Sequence, residues 1–194
     1  TCIVVWIFND AERVTPAVPL ALFAPVDGRM IHADRRRDPW LERPSTRVVV
    51  RLPLLGMSVI RCPTEGQIRE FWVRGGIGSD GNLETASSPT LYALWIRTDE
   101  GDDVVLAVHG RRFISRFRAD ASPGERVGHG KRLGFIYFGT IVSVYAPGSA
   151  EPCSPDEVPR RARVTGGVDR VATLMRSPEP VNLQLDAGKQ TGAG

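Results

Sequence analysis

Short apolar runs separated by polar and turn-forming residues recur along the chain, and they predict strands. Three of these runs, Thr46–Leu52, Leu91–Arg97 and Val104–Val108, are rich in β-branched, aromatic or other apolar side chains. The last two flank the acidic, turn-rich segment "TDEGDD" and therefore predict a β-hairpin. Phe135–Tyr145 predicts a further strand region, whereas the pattern of Arg111–Arg118 fits either a strand or one short helix.

Glycine and proline interrupt these runs often enough to argue against long helices. The 194 residues include 20 glycines and 15 prolines, spread along the whole chain. The sequence therefore predicts a mostly-β single domain built from short strands and glycine turns, with few short helices.

The pattern changes after Pro147. Residues 148–194 are rich in proline, glycine and charge and contain few apolar runs. Such a composition predicts a mostly disordered tail. Val168–Met175 is the one stretch in it that favours a short helix. The predicted organisation is thus a domain over residues 1–147 followed by this tail.

Charge and cysteine content narrow the range of partners. The formal net charge is +3, and Lys131 and Lys189 are the only lysines, so almost all cations are arginines. An arginine-rich surface suits anionic partners such as phospholipid headgroups. The arginines are dispersed apart from Arg35–Arg37, which disfavours nucleic acid. The cysteines Cys2, Cys62 and Cys153 have neither zinc-site spacing nor a disulfide framework, which predicts no metal site and a reducing compartment.

The first apolar run, "TCIVVWIF", allows two interpretations. Its eight residues are too few to span a bilayer. It is either a first core strand or the end of a longer hydrophobic segment.

Glycine turns of one type recur, and they resemble the turns of biotinyl- and lipoyl-type barrels. Examples lie in residues 24–31, 62–76 and 124–136. Those modules carry an acylated lysine at an exposed hairpin tip. Lys131 instead lies inside a turn, so barrel-like features are expected without a carrier function.

Four segments, taken in order, resemble the phosphatidylserine decarboxylase family. They are "WIFNDAERVTP", "FAPVDGRMI", "RLPLLGMSVIRCPTEGQI" and "GERVGHGKRLGFIYFGTIVSVYAP". The second is similar to that family's Ser-Pro-Ala-Asp-Gly-Lys-Val element, and the third to its Asp-Val-His-Val-Asn-Arg-x-Pro-x-x-Gly strand. The fourth is similar to its closing segment, which contains Phe-Gly-Ser. The resemblance runs from Trp6 to Pro147.

The resemblance implies a self-processing enzyme. In the family, a serine attacks the carbonyl of the preceding glycine, and the chain splits to leave an N-terminal pyruvoyl group, which serves as the electron sink for decarboxylation. An aspartate and a histidine activate that serine. In this sequence Asp27 holds the aspartate position, Ser58 the histidine position, and Gly139 and Thr140 the glycine and serine positions. Thr140 is accordingly the position at which the pyruvoyl-type group is expected.

Two of these positions depart from the family pattern. Ser58 cannot act as a base near neutral pH. The methyl group of Thr140 crowds its hydroxyl and stiffens χ1, and elimination from threonine would give a 2-oxobutyryl group. His109, which follows an apolar strand, offers an alternative base. Simpler interpretations remain open: Asp27 as a turn residue, Gly139–Thr140 as a strand bulge, and His109 as a structural histidine.

The expected function is therefore that of a phosphatidylserine decarboxylase-like protein of phospholipid biosynthesis, with an activity weakened or lost through these substitutions. A non-catalytic lipid- or partner-binding pseudoenzyme is the alternative, and a structural biotinyl/lipoyl-like module is a third class. The resemblance implies an anionic phospholipid or membrane surface as partner, peripheral attachment to the cytoplasmic face of a membrane, and compatibility with a homo-oligomer.

Overall fold

Antiparallel strands dominate the part of the chain that the computed structural model describes. The described residues are 13, 15–16, 18–53, 57–75, 91–110, 117–137, 141–153 and 162–175. Within them the chain forms β1 Ala21–Phe23, β2 Gly28–Arg37, β3 Pro44–Arg51, β4 Met57–Arg61, β5 Gly66–Arg74, β6 Leu91–Arg97, β7 Asp103–His109, β8 Phe117–Ala119, β9 Arg126–Val127, β10 Arg132–Tyr137, β11 Ile141–Pro147, β12 Glu151–Pro152, β13 Arg163–Val164 and β14 Arg170–Thr173.

The largest sheet has eight strands in the order β13-β2-β3-β11-β7-β6-β5-β9. Every pairing in it is antiparallel, and the sheet curls. Successive side chains of a strand point to opposite faces, so each strand of this sheet supplies an inner and an outer set of side chains.

Two three-stranded sheets enclose the inner face. One has the order β4-β10-β8 and the other the order β1-β14-β12. Their apolar side chains, such as Ile60, Ile136 and Val171, join a single cluster with Val50 and Leu106 of the large sheet, and all five are fully or almost fully buried. This cluster is the core, and the alternation of the strands explains why consecutive residues do not all enter it.

The outer face of the large sheet carries a smaller and more polar cluster. Its buried members are Ala93, Val105, Ala107 and Tyr145, with tryptophans and Leu41 packed against them. The loop between β2 and β3 folds over this face, where it is held partly by an Arg43 hydrogen bond to the backbone oxygen of Asp103.

The mostly-β fold is confirmed, and so are several predicted elements. The predicted hairpin is formed by β6 and β7, paired from Leu91↔His109 to Arg97↔Asp103. The predicted strand over Phe135–Tyr145 is instead two strands in different sheets, because β10 pairs with β4 and β8 whereas β11 pairs with β3 and β7.

The predicted helix at Val168–Met175 is wrong. Residues Arg170–Thr173 form β14, which pairs with β1 and β12. Its residues Val171 and Ala172 enter the core, so tertiary pairing overrides the local preference of a short segment. The domain boundary at residue 147 stays a prediction, since residues 154–161 and 176–194 lie outside the described residues.

Candidate functional site

The chain crosses from one sheet to another around the Gly139–Thr140 bond. It leaves the β4-β10-β8 sheet at Tyr137 and enters the eight-stranded sheet at Ile141. Gly139 and Thr140 themselves lie outside the described residues. The described strands before and after these residues belong to different sheets, and the bulge interpretation stays a prediction.

Ser58 lies at the start of β4, directly across from the strand that leads to this crossing. Its cross-strand partner is Ile136, and Met57 is paired with Tyr137. Ser58 is partly buried. Its hydroxyl can donate or accept a hydrogen bond but cannot take up a proton near neutral pH. The residue that the resemblance assigns to the family's base position is therefore a hydrogen-bonding group.

Asp27 lies in the turn before β2, and an ion pair occupies its carboxylate. Arg13 donates from Nη1 to Oδ1 over 2.6 Å and from Nη2 to Oδ2 over 2.7 Å. The Gly166 N–H donates to Oδ1 over 2.8 Å. Partial burial alone would raise the pKa of Asp27, but these hydrogen bonds and the charges of Arg13 and Arg61 outweigh it and lower the pKa. Asp27 is thus a stable anion at neutral pH.

The glycine after Asp27 allows β2 and β3 to approach closely. A Cβ atom built on Gly28 would lie 2.3 Å from the backbone oxygen of Arg51. Only glycine fits there without movement of the backbone. The Asp-Gly pair is therefore both a turn and a packing requirement, and it fixes Asp27 beside the end of β3.

His109 ends β7 on the outer face, next to the start of β11. It is paired with Ile141, the first residue described after the Gly139–Thr140 bond. His109 Nε2 lies 3.5 Å from Ser143 Oγ. Burial and the charge of Arg47 lower the pKa of His109, which favours the neutral imidazole at neutral pH. This is the protonation state that a general base requires.

The described strands bring several of these positions to the same end of the eight-stranded sheet, where neighbouring strands begin or finish. Arg29, Arg51, Ile141 and His109 form one row across β2, β3, β11 and β7. The turn that carries Asp27 precedes the first member of this row. The same turn contacts β4 through a hydrogen bond from the Arg61 N–H to the oxygen of Pro25, three residues beyond Ser58. Whether Asp27, Ser58 and Thr140 meet stays a prediction, since residues 138–140 are not described.

Arg61 and His129 are both largely covered. Arg61, the last residue of β4, has only 8% of its surface exposed and donates to the oxygen of Gly130. His129 has a side chain that is 18% exposed and packs edge-on against Phe23 of β1. Both residues therefore belong to the packing around the core rather than to a solvated surface.

Arg13 is the site residue that sequence reasoning missed. It belongs to the quoted segment "WIFNDAERVTP", whose counterpart in the resembled family also contains arginine, so a signal was present. The pairing with Asp27 spans 14 residues of sequence and involves the turn at Gly166 as well. No local pattern predicts such a pairing.

The structure offers little for metal or thiol chemistry at this site. Among the described residues, no three His, Cys, Asp or Glu side chains are close enough together to hold a metal ion. Cys62 is fully buried and its thiol donates to the oxygen of Thr64 over 2.8 Å. Burial raises the pKa of Cys62 to about 12, so it is a protonated core residue at neutral pH.

Comparisons with known proteins give one consistent answer. The family model for phosphatidylserine decarboxylase matches residues 2–169. The chain is 38% identical over 141 residues to a phosphatidylserine decarboxylase proenzyme from Nitrosomonas europaea, covering 72% of this chain and 65% of that protein. A proenzyme of the same name from Nitrosomonas eutropha is 36% identical, with 75% and 68% covered. One from Aromatoleum aromaticum is 31% identical, with 87% and 74% covered.

The matches cover only part of the relatives' length, and no solved structure is among them. The chain spans about two thirds of the length of the two Nitrosomonas relatives. No solved structure matches it. In the part of the chain that the structure describes, no helix is both long and apolar enough to span a membrane. Because the family model covers most of the chain and the relatives agree, this chain belongs to the phosphatidylserine decarboxylase family.

Proposed function

We propose that this chain is a phosphatidylserine decarboxylase-like protein of phospholipid biosynthesis whose self-processing is weakened by the residues at its processing site. The observation that carries the proposal is the change of sheet between Tyr137 and Ile141. The described strands on either side of residues 138–140 thus belong to different sheets, which supports a processing bond between them. Ser58 and His109 lie on the strands that pair with the two flanks.

The proposed processing begins with the Thr140 hydroxyl. Its oxygen would bond to the Gly139 carbonyl carbon as the Gly139–Thr140 C–N bond breaks, which gives an ester. Loss of the Thr140 Cα proton would expel the Gly139 carboxylate, and water would then release ammonia. The product on the C-terminal fragment is a 2-oxobutyryl group. The residues present do not fit a pyruvoyl group, because threonine carries one carbon more than serine.

Asp27 supports a second candidate, a non-catalytic lipid-binding pseudoenzyme. In the resembled family the aspartate orients a histidine base, but here both of its oxygens accept hydrogen bonds from Arg13, and one accepts from Gly166 as well. With serine at position 58, no imidazole is present there to be oriented. His109 is the nearest alternative base by strand pairing, and it favours the enzyme over the pseudoenzyme.

The proposed partner in either case is a phospholipid surface. We expect peripheral attachment at the cytoplasmic face of a membrane, an anionic phospholipid as ligand, compatibility with homo-oligomers and no role for nucleic acid. The excess of arginine in the chain supports this choice of partner.

The mass of the purified chain tests the proposal. We expect mainly intact chain, with slow appearance of two fragments broken between Gly139 and Thr140. Their masses should add up to the chain plus one water less one ammonia, and the C-terminal fragment should resist Edman degradation. If the chain never cleaves and releases no carbon dioxide from phosphatidylserine vesicles, the proposed enzyme is contradicted and the pseudoenzyme is supported.

Repair variants locate the cause of the weak processing. Ser58→His together with Thr140→Ser should speed cleavage, because a general base is worth about 10²–10⁴-fold. Adding Arg13→Gln, which frees Asp27 to orient the new imidazole, should speed it further. The single changes are the matched controls and should do little, because such groups act as a unit. A folded triple variant that still does not cleave would contradict the proposed site.

A further inference from the structure

Three tryptophans and one arginine form a stacked column on the outer face of the eight-stranded sheet. The rings of Trp40 and Trp72 are 5.6 Å apart and inclined by 13°, and those of Trp72 and Trp95 are 6.1 Å apart and inclined by 8°. The Arg74 guanidinium lies 4.2 Å from the centre of the Trp40 ring. Together Arg74, Trp40, Trp72 and Trp95 are called the tryptophan column below.

Polar contacts hold the column at both ends. Trp95 Nε1 donates to Asp103 Oδ1 over 2.8 Å. At the other end Arg74 donates to the oxygen of Pro39, which ties β5 to the loop that carries Trp40. The three indoles are only partly buried and Arg74 is exposed. The column therefore presents a fixed apolar strip with a cation at its end.

Positive charge surrounds the apolar strip. The exposed residues Arg35–Arg37 end β2 and lead directly into the loop that carries Trp40. Glu42 lies within 3.9 Å of Arg37, but both side chains are more than 70% exposed, so their attraction is weak. By the alternation of the strands, Arg36, Arg51, Arg74 and Arg97 are exposed on the outer face, whereas Arg35 and Arg37 belong to the opposite set. Glu70 is an exposed carboxylate of β5 on the same outer face. This balance favours an anionic partner.

The column adjoins the candidate site. Arg74, Leu91, His109 and Ile141 form one row across β5, β6, β7 and β11. Neighbouring strands lie about 4.8 Å apart, so Arg74 is about 15 Å from the start of β11. A surface bound to the column would thus present its headgroups beside the edge of the sheet that holds His109.

We infer that the tryptophan column, together with Arg36, docks the protein on the surface of an anionic phospholipid bilayer. This inference rests on the proposed function for its choice of a lipid partner. Indole rings favour the boundary between headgroups and acyl chains, where one part of the ring is in apolar and another in wet surroundings. Arginines near such a surface each strengthen binding by about fivefold at moderate salt. A column that only covered the sheet would not need the exposed arginines.

Vesicle binding by the full chain tests the inference. The probe is phosphatidylcholine vesicles with and without phosphatidylglycerol, which is not the proposed substrate. Trp6→Phe leaves only the column tryptophans as emitters. We expect binding only to the anionic vesicles, a shift of emission to shorter wavelength, and quenching by brominated acyl chains. Absence of binding would overturn the inference, and so would binding without quenching, since another surface would then be in contact.

Charge variants provide the matched controls. Arg74→Gln and Arg36→Gln should each weaken binding about fivefold. Arg74→Lys should keep the binding because it keeps the charge. Arg126→Gln removes another exposed cation, which is paired with Gln67 at the other end of β5 from Arg74, and should leave binding unchanged. Thermal unfolding would verify that each variant folds, and equal losses for Arg74→Gln and Arg126→Gln would contradict a defined docking surface.

The two proposals fail separately. If the chain binds phosphatidylglycerol vesicles through the column but never cleaves or decarboxylates, the docking surface is supported and the proposed enzyme is contradicted. If the chain cleaves and decarboxylates a soluble short-chain phosphatidylserine but does not bind vesicles, the proposed enzyme is supported and the docking surface is contradicted.

Discussion

The two faces of the eight-stranded sheet differ in composition although the same strands build them. On β7, Val104, Leu106 and Val108 point inward into the aliphatic core, whereas Val105 and Ala107 point outward. The inner face meets two further sheets. The outer face instead carries tryptophans, a histidine and ion pairs, and it is covered in part by the loop between β2 and β3.

The difference separates what maintains the fold from what is available for function. An inner side chain has neighbours on every side and no route to solvent or ligand. An outer side chain such as His109 keeps a polar partner and lies at the edge where the proposed reaction takes place. We therefore expect mutations on the inner face to act through stability, and those on the outer face to act through charge and binding.

The largest effect should come from a matched pair of neighbours on opposite faces. Val104 and Val105 are both 0% exposed. Val104→Ala should cost about 2–3 kcal/mol, because lost burial is joined by a cavity that three sheets cannot close. Val105→Ala should cost about 1.5 kcal/mol, since the covering loop can move inward. Urea unfolding of both variants measures the difference, and equal costs would mean that the two faces are packed alike.

A smaller effect is expected from an ion pair on the outer face. Arg47 donates from Nε and Nη2 to the two oxygens of Asp34, each over 2.9 Å, and hydrogen bonding by Arg47 lowers the pKa of Asp34. Asp34→Asn should cost about 1 kcal/mol, since Arg47 is only 17% exposed but Asp34 is partly in solvent.

The control for that pair is Asp99→Asn. Asp99 forms the same bidentate pair with Arg126, which is 69% exposed. Solvent screens this pair, so its loss should not measurably change the unfolding midpoint. If both variants lose equal stability, burial of the arginine does not decide the strength of these pairs.

The smallest effect should be the pH dependence that His109 adds. Burial and the charge of Arg47 lower the pKa of His109 in the folded chain below its ordinary value of 6.5. As the pH falls through 6.5, the histidine therefore takes up a proton in the unfolded chain before it does so in the folded chain. Stability from this residue is therefore complete above that pH and decreases as the pH falls, by no more than about 1.4 kcal/mol per unit. His109→Gln should flatten the curve of stability between about pH 5 and 7.

The comparison with wild type isolates the contribution of His109, because the other two histidines are present in both proteins. Arg51 and Arg74 lie in the same outer row as His109 and carry the same sign of charge as its protonated form. A variant curve parallel to that of the wild type would show that His109 titrates alike in the folded and unfolded chain.

Local pattern was sufficient for the strands whose pairing is also local. The hairpin of β6 and β7 was predicted from two apolar runs around a turn, and the structure pairs them in the expected antiparallel way. The family was likewise recognisable from four motifs in order. Such features depend on residues that are close in sequence or on motifs that the sequence carries explicitly.

Long-range pairing decided the rest. Asp27 reads as a turn residue, but its partners are Arg13 and Gly166, the second 139 residues away. The sequence pattern around residues 170–173 favours a helix, but these residues form β14. The strand forms because it pairs with both β1 and β12 and buries Val171 and Ala172 in the core. Phe135–Tyr145 reads as one strand but is divided between two sheets.

The sequence by itself determined a mostly-β chain, its hairpin and its family, and it predicts departures from the family pattern at Ser58 and Thr140. Only the tertiary structure decided that Arg13 binds Asp27, that Tyr137 and Ile141 belong to different sheets, and that His109 is paired with Ile141. The physical reason is that alternation and turn chemistry act over a few residues. Backbone hydrogen bonds, ion pairs and burial instead join whichever segments the folded chain brings together.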